Sequence, residues 1–314
     1  MNEKIMHLAN FNITFGEKAE PMLSHFKDII FPAFTSGIMR GKVDEIPHFL
    51  FTDVEIKQIK GGEYILVGNY IKETEYTIHT TVTNGALTAS PAKHPTAPYS
   101  RFIIFLKNHR MILVRNESVS PDIRSFQATV RYILNKYTRE ANKEQRENKR
   151  KPTTTLPNAL VNIVDMPLKE DINAVLKSVQ KIKWVKLNFF PLNNDFGKRP
   201  IANSIRAEMK SLGSNTTNLT FNSPDSKEGI QKLLEETSGQ ARTTLFVKNK
   251  DGEDEKIRED SFSSNKKIAF AKDVTSDDDE YFVLIAQKES IIKNVSKENE
   301  AWYKRYVAAL RSLL

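Results

Sequence analysis

Cysteine is absent from this 314-residue chain. That excludes disulfides, thiolate nucleophiles and cysteine-ligated zinc or iron–sulfur centres together, and it fits a reducing, cytoplasmic compartment. No run of about 18 apolar residues occurs, so no membrane-spanning helix is expected. The N-terminus has no apolar stretch behind basic residues, so no secretory signal is read. Phosphate-cradling loops of the Gly-x-x-x-x-Gly-Lys-[Ser/Thr] and Gly-x-Gly-x-x-Gly types, the Gly-x-Ser-x-Gly elbow and His-Glu-x-x-His are also missing. The six histidines, His7, His25, His48, His79, His94 and His109, all lie in the first half without a close ligand pair. They read as scattered strand and surface residues. Neither metal nor cofactor is expected, and the favoured reading is a protein that is not an enzyme.

What is present is charge and hydrophobic patterning. The net charge is +8, which favours polyanionic partners when the cations cluster. Hydrophobic residues make up 39%, enough for ordinary cores, and the length suits two domains. The expected class is α+β: an antiparallel-sheet-rich domain over 1–151 ending in a long basic helix, then a mixed α/β sandwich over 152–314.

The first half reads as a strand over 4–15, a helix opened by Pro21 and stopping near Pro32, and a β-rich stretch from about 48 to 116. Asn84-Gly85 after the long strand Tyr70–Thr83 is a strong hairpin signal. A second hairpin, Tyr99–Leu106 with Met111–Arg115, turns at Lys107–Arg110. Ser120-Pro121-Asp122 marks a helix start. Its apolar face, Phe126, Val130, Ile133, Leu134 and Tyr137, runs out after 137. The polar segment 138–151 and Pro152 place the domain boundary there.

The second half alternates. Leu160–Val164 reads as a strand and Pro167 to Val179 as a helix, followed by a strand over Ile182–Phe190. A helix near 200–212 ends at Gly213. A strand near 218–222 precedes a helix reaching Thr237. Arg242–Lys250 and a partner flank Asp251-Gly252. Lys266–Ala271 and Tyr281–Gln287 read as the last strands, with Asp277–Glu280 as a solvated turn. An amphipathic helix presenting Trp302, Tyr306, Ala309, Leu310 and Leu313 closes the chain.

Two patterns carry candidate chemistry. Asp53-Val-Glu55-Ile-Lys57, with Asp44 upstream, has the carboxylate–lysine spacing of Mg²⁺-dependent nucleases, in which carboxylates hold the metal and lysine positions water. Strand alternation equally makes it a solvated face with Val54 and Ile56 buried behind. Lys136, Arg139, Lys143, Arg146 and Arg150 form a helical stripe able to track a phosphate backbone. Glu140, Glu144 and Glu147 on the neighbouring stripe make it equally a solvated helix laced by i,i+4 pairs. Gly197-Lys198-Arg199-Pro200, ahead of a helix, offers basic side chains and free amides to a phosphate.

The second half resembles the A component of the Rex phage-exclusion system. Asn158-Ala-Leu-Val-Asn-Ile-Val-Asp-Met-Pro167-Leu-Lys-Glu-Asp-Ile172-Asn-Ala-Val-Leu-Lys177 is similar to the family's strand running through proline into a helix. Leu245-Phe-Val-Lys-Asn-Lys-Asp-Gly252-Glu-Asp-Glu-Lys256 is similar to its hairpin with a basic–acidic turn. On architecture alone, KwaB-type proteins of Kiwa defence systems are similar too. The resemblance implies a non-enzymatic, largely sequence-independent DNA-binding protein of bacterial antiphage defence, a homo-oligomer acting with a membrane-embedded partner. It transfers no individual contact. The site expected from the basic clusters is a clamp on double-stranded DNA by Lys143, Arg146, Lys149, Arg150 and Lys151, assisted by Lys177, Lys181, Lys183, Lys186, Lys198 and Arg199. The alternatives are a nuclease using Asp53, Glu55 and Lys57, and a sensor or scaffold subunit docking a protein through the first sheet.

Overall fold

A computed structural model describes residues 3–42, 44–147, 155–193, 200–258 and 266–314. The first half contributes β1 (Glu3–Phe15), β2 (Glu20–Pro21), α1 (Phe31–Thr35), β3 (Arg40–Lys42), β4 (Glu45–Gln58), β5 (Tyr64–Thr83), β6 (Ala86–Thr96), β7 (Tyr99–Phe105), β8 (Arg110–Arg115) and α2 (Ile123–Glu147). Then come β9 (Ala159–Asp165), α3 (Lys169–Ser178), β10 (Val179–Phe189), α4 (Pro200–Ser211), β11 (Thr217–Asn222), α5 (Lys227–Thr237), β12 (Ala241–Asn249) and β13 (Asp254–Arg258). β14 (Lys266–Ala269), α6 (Asp279–Ala286), α7 (Ser290–Lys293) and α8 (Lys297–Arg311) complete the order.

The larger sheet has ten antiparallel strands, with the path β14-β1-β8-β7-β5-β4-β3 and with β2, β6 and β9 branching from it. β1 is central, and both its faces are covered, which is why its sequence is apolar nearly throughout and only loosely period two. One face packs under α1, α2 and α8. The other packs under α6 and α7. Phe126 of α2 sits 5.3 to 5.4 Å from the rings of Phe51, Tyr70 and Phe102. These fully or nearly fully buried rings knit helix to sheet. Asp122 caps α2, accepting from the Ser125 amide at 2.8 Å.

The large sheet draws on both sides of the expected boundary near 151. β9 runs antiparallel along Ala9–Phe15 of β1, and β14 along Glu3–Met6 of the same strand. Tyr303 and Leu310 of α8 join the core beneath α2. Beyond residue 73, β5 and β6 form a projecting hairpin arm around Asn84-Gly85, where both φ values are positive. Tyr76, Val82 and Leu87 are exposed on it.

The smaller sheet has four antiparallel strands in the order β11-β10-β12-β13. α3, α4 and α5 cover one face, burying Ile182, Val185, Leu187, Leu245 and Val247. The small sheet is fixed to the large one by buried polar contacts. The Asn10 amide donates to the Gly239 carbonyl at 2.6 Å, and the Asn12 side chain bonds Pro191 and Asn193. Gly239 has φ +71, and a Cβ there would lie 2.9 Å from Met166, so this close approach needs glycine.

Three expectations are corrected. Tyr281–Gln287 is not a strand: Asp279–Ala286 is helical. A six-residue apolar run fits a buried helix and a strand equally. Asp277–Glu280 is not simply a solvated turn. Asp278 caps the Thr275 amide at 2.8 Å, and Asp279 is buried at the first turn of α6, where carboxylates complement the helix dipole. The first helix is not regular and ends three residues past Pro32: a 3₁₀ turn and a π turn lead into α1, which carries Pro32 in its first turn.

Candidate nucleic-acid interface

No helix or loop covers the second face of the small sheet among the described residues. Its side chains follow from alternation and register. Trp184 of β10 lies opposite Asn222 of β11 and Phe246 of β12, and Phe246 lies opposite Lys256 of β13. One pair along, Lys186 faces Thr220 and Thr244, and Thr244 faces Arg258. Then Asn188 faces Asn218 and Arg242. In the other direction, Lys181 lies opposite Lys248, and Lys248 opposite Asp254. Two bulges in β10 release Lys183 onto the same face, where its ammonium lies 5.2 Å from the Phe246 ring centre and pairs with Asp254.

The face thus carries Lys181, Lys183 and Lys186 from β10, Arg242 and Lys248 from β12, and Lys256 and Arg258 from β13, and its strands place one acid there among the described residues, Asp254. Two lysines in direct register, Lys181 and Lys248, repel one another. An anion laid across them relieves that repulsion. The Trp184 and Phe246 rings stack at 5.5 Å with an interplanar angle of 29° in the middle of the charge. Asparagine and threonine supply the remaining polar groups. The face is a shallow groove of about 790 Å³ lined by both tryptophan and basic side chains.

The large body borders one end. Arg242 reaches off the sheet to donate to Gln127 of α2 at 2.9 Å and Asn162 of β9 at 3.1 Å. Arg124 and Arg131, one turn either side of Gln127, stand on the same helix face and are exposed. Arg131 also donates to the Val161 carbonyl of β9 at 3.0 Å.

The expected site residues distribute as follows. Lys181, Lys183 and Lys186 lie on the open face. Lys177 ends α3 on the helix-covered side. Lys143 and Arg146 are exposed in the last turns of α2, where Lys143 pairs with Glu147 at 3.7 Å. Lys136 likewise pairs with Glu140 at 3.9 Å. This is the i,i+4 lacing, and it stands roughly 24 Å along the helix from Gln127 at 1.5 Å per residue. Lys149, Arg150, Lys151, Lys198 and Arg199 lie outside the described residues. Sequence reasoning missed Arg242, Lys248, Lys256 and Arg258. Their signal was the alternation Arg-Thr-Thr-Leu-Phe-Val-Lys over 242–248, in which every second residue is polar or aromatic.

The Asp53–Lys57 strand has a different role. Asp53 sits in a β-bulge with φ +49 and accepts from Asn69 at 2.7 Å. Lys57 bonds Asp279 at 2.8 Å and Glu55 at 3.0 Å. Burial opposes the Lys57 charge, but those hydrogen bonds outweigh it and hold its pKa above the ordinary lysine value. The fully buried Arg101 forks onto Asp279 at 2.8 and 2.7 Å. Glu55 and Asp279 therefore answer cations from β4 and β7, and Asp279 ties α6 to the sheet. Among the described residues, no three histidine, aspartate or glutamate side chains converge as a metal-ligand set.

Within the same residues, no helix is long and apolar enough to cross a membrane. The two stretches from which the Rex expectation is drawn fall on β9 with α3 and on the β12–β13 hairpin, which forms part of the open face. No family model, curated protein or solved structure matches this chain.

Proposed function

We propose that this protein binds nucleic acid through the open face of the small sheet, without catalysis and largely without regard to sequence. One observation carries the reading: seven cations against one acid surround a stacked Trp184–Phe246 pair on a sheet face that no other element covers among the described residues. Cations neutralise phosphates wherever the bases differ, which gives affinity without sequence preference. The seven cations lie within one face about 14 Å across, taking strands 4.7–4.9 Å apart. A dispersed positive charge would repel nothing locally and attract little. Here the density is high enough to demand a counter-charge.

The Rex resemblance supports a role for such binding in bacterial phage exclusion, and the hairpin it rests on supplies Phe246, Lys248 and Lys256. Oligomerisation and a membrane-embedded partner belong to that resemblance alone. The expected duplex clamp by the α2 tail is supported less well, because Lys143 is already answered by Glu147. The test is a binding titration of the full chain with labelled 15-nucleotide single-stranded and 15-base-pair double-stranded DNA at 50 mM salt, repeated with whichever form binds on Lys186→Glu/Lys256→Glu and on Lys143→Glu/Arg146→Glu. The first double variant abolishes binding and the second retains it. The opposite pattern, or no binding by the parent, refutes the reading.

A further inference from the structure

The aromatic pair narrows the ligand. Phosphate attraction needs only cations, and the open face has them on three of its four strands. Trp184 and Phe246 add nothing to that attraction. Both are half-buried and lie in mutual register across β10 and β12, and Trp184 lines the groove. In a duplex the base faces are stacked on each other, and only edges and backbone reach a protein. An aromatic pair meets no open base face there. A strand whose bases are splayed out offers a π-face at every nucleotide, and stacking on it is indifferent to base identity.

The surrounding chemistry agrees. Around the rings stand Asn222, Thr220 and Thr244, uncharged groups that can bond base edges without imposing one sequence. Lys186 lies two residues from Trp184 on β10, and Lys256 lies directly opposite Phe246 on β13. Bases at the centre therefore have phosphate partners on either side. The Lys183 ammonium lies above the Phe246 ring and is held by Asp254.

From this juxtaposition we propose that the open face takes single-stranded nucleic acid, stacking bases on Trp184 and Phe246 and holding phosphates on Lys186, Lys256 and their neighbours. The inference rests on the nucleic-acid reading of the same face. DNA and RNA strands share this chemistry, so separate arms distinguish them.

The experiment uses the full chain carrying Trp302→Phe, so that Trp184 is the sole tryptophan. Fluorescein-labelled dT15, U15 and a 15-base-pair duplex are titrated by anisotropy at 50 mM salt, with Trp184 emission followed on unlabelled strands. The expected result is binding of dT15 or U15 at least tenfold tighter than the duplex, with quenching of Trp184. Trp184→Ala then weakens strand binding roughly 5- to 150-fold, the range for losing one stacked base, while Trp184→Phe retains most of it. Circular dichroism identifies any variant that fails to fold, and if Trp184→Ala does, the quenching of Trp184 by bound strand decides the matter, with unchanged emission at saturation overturning the stacking assignment. Duplex binding equal to or tighter than strand binding overturns this inference and leaves the broader reading standing. Strand binding unchanged in Trp184→Ala overturns the stacking assignment. No binding of any probe overturns both.

Discussion

Salt dependence measures how many phosphates the open face neutralises, and the structure sets the number. Of its seven cations, Lys183 is paired with Asp254, and Arg242 is engaged with Gln127 and Asn162. Lys181, Lys186, Lys248, Lys256 and Arg258 have no carboxylate partner among the described residues. With each neutralised phosphate of a single strand contributing about −0.7 to the slope of log K against log salt, five contacts give about −3.5. A fourfold rise in salt, from 50 to 200 mM, then lowers affinity by about 100-fold, close to 3 kcal/mol. Anisotropy titrations of dT15 at four salt concentrations measure it. Lys186→Ala and Lys256→Ala each reduce the slope by about 0.7. Lys143→Ala and Arg146→Ala leave it unchanged. A slope near zero refutes the electrostatic argument. A slope that responds to the α2-tail variants and not to those on β10 and β13 relocates the site.

Other expectations concern the scaffold. Asp279→Ala takes the two-pronged carboxylate partner from the fully buried Arg101, leaving it Asn69 at 3.1 Å and Glu55 at 4.0 Å, and destabilises the protein by about 3 kcal/mol, whereas the double replacement Asp279→Leu/Arg101→Met costs far less; urea unfolding measures both, and equal losses would sink the buried-pair account. Burial first, and then the Arg115 charge, push the His7 pKa down to about 4 against a small opposing pull from Asp122. Between pH 6.5 and about 4 the unfolded chain therefore binds a proton that the folded chain refuses. This contribution is nil above pH 6.5. As pH falls through that window, stability declines by up to about 3 kcal/mol, and it falls no further on this account below it. His7→Leu removes that part of the decline, checked by urea midpoints at pH 7, 5.5 and 4.

Features that depend on neighbours in the chain are legible in the sequence itself. The start of α2 is an example, because Asp122 reaches an amide only three residues away. The hairpin turns at Asn84-Gly85 and Asp251-Gly252 likewise follow from residues that tolerate positive φ. The antiparallel character of the first half comes from the same local signals. α6 escapes them because Tyr281–Ala286 is short and uniformly apolar. What selects the helix is remote: Asp279 answers Arg101 and Lys57, which are 178 and 222 residues away along the chain.

The candidate interface divides in the same way. Composition alone establishes a basic chain without thiol chemistry, and the alternation of β12 already separates buried from outward residues. Which cations share a surface is beyond it. Lys186, Lys248 and Lys256 sit on three strands whose register depends on two bulges in β10 and on long-range pairing. The acids that cancel the α2 stripe are neighbours one helical turn away, whereas β-sheet pairing gathers cations from distant segments and, among the described residues, places one carboxylate with them. Charge sign and strand period are properties of the chain. The convergence of charge around an aromatic pair is a property of the fold, because only hydrogen-bonded register brings β10, β12 and β13 side by side.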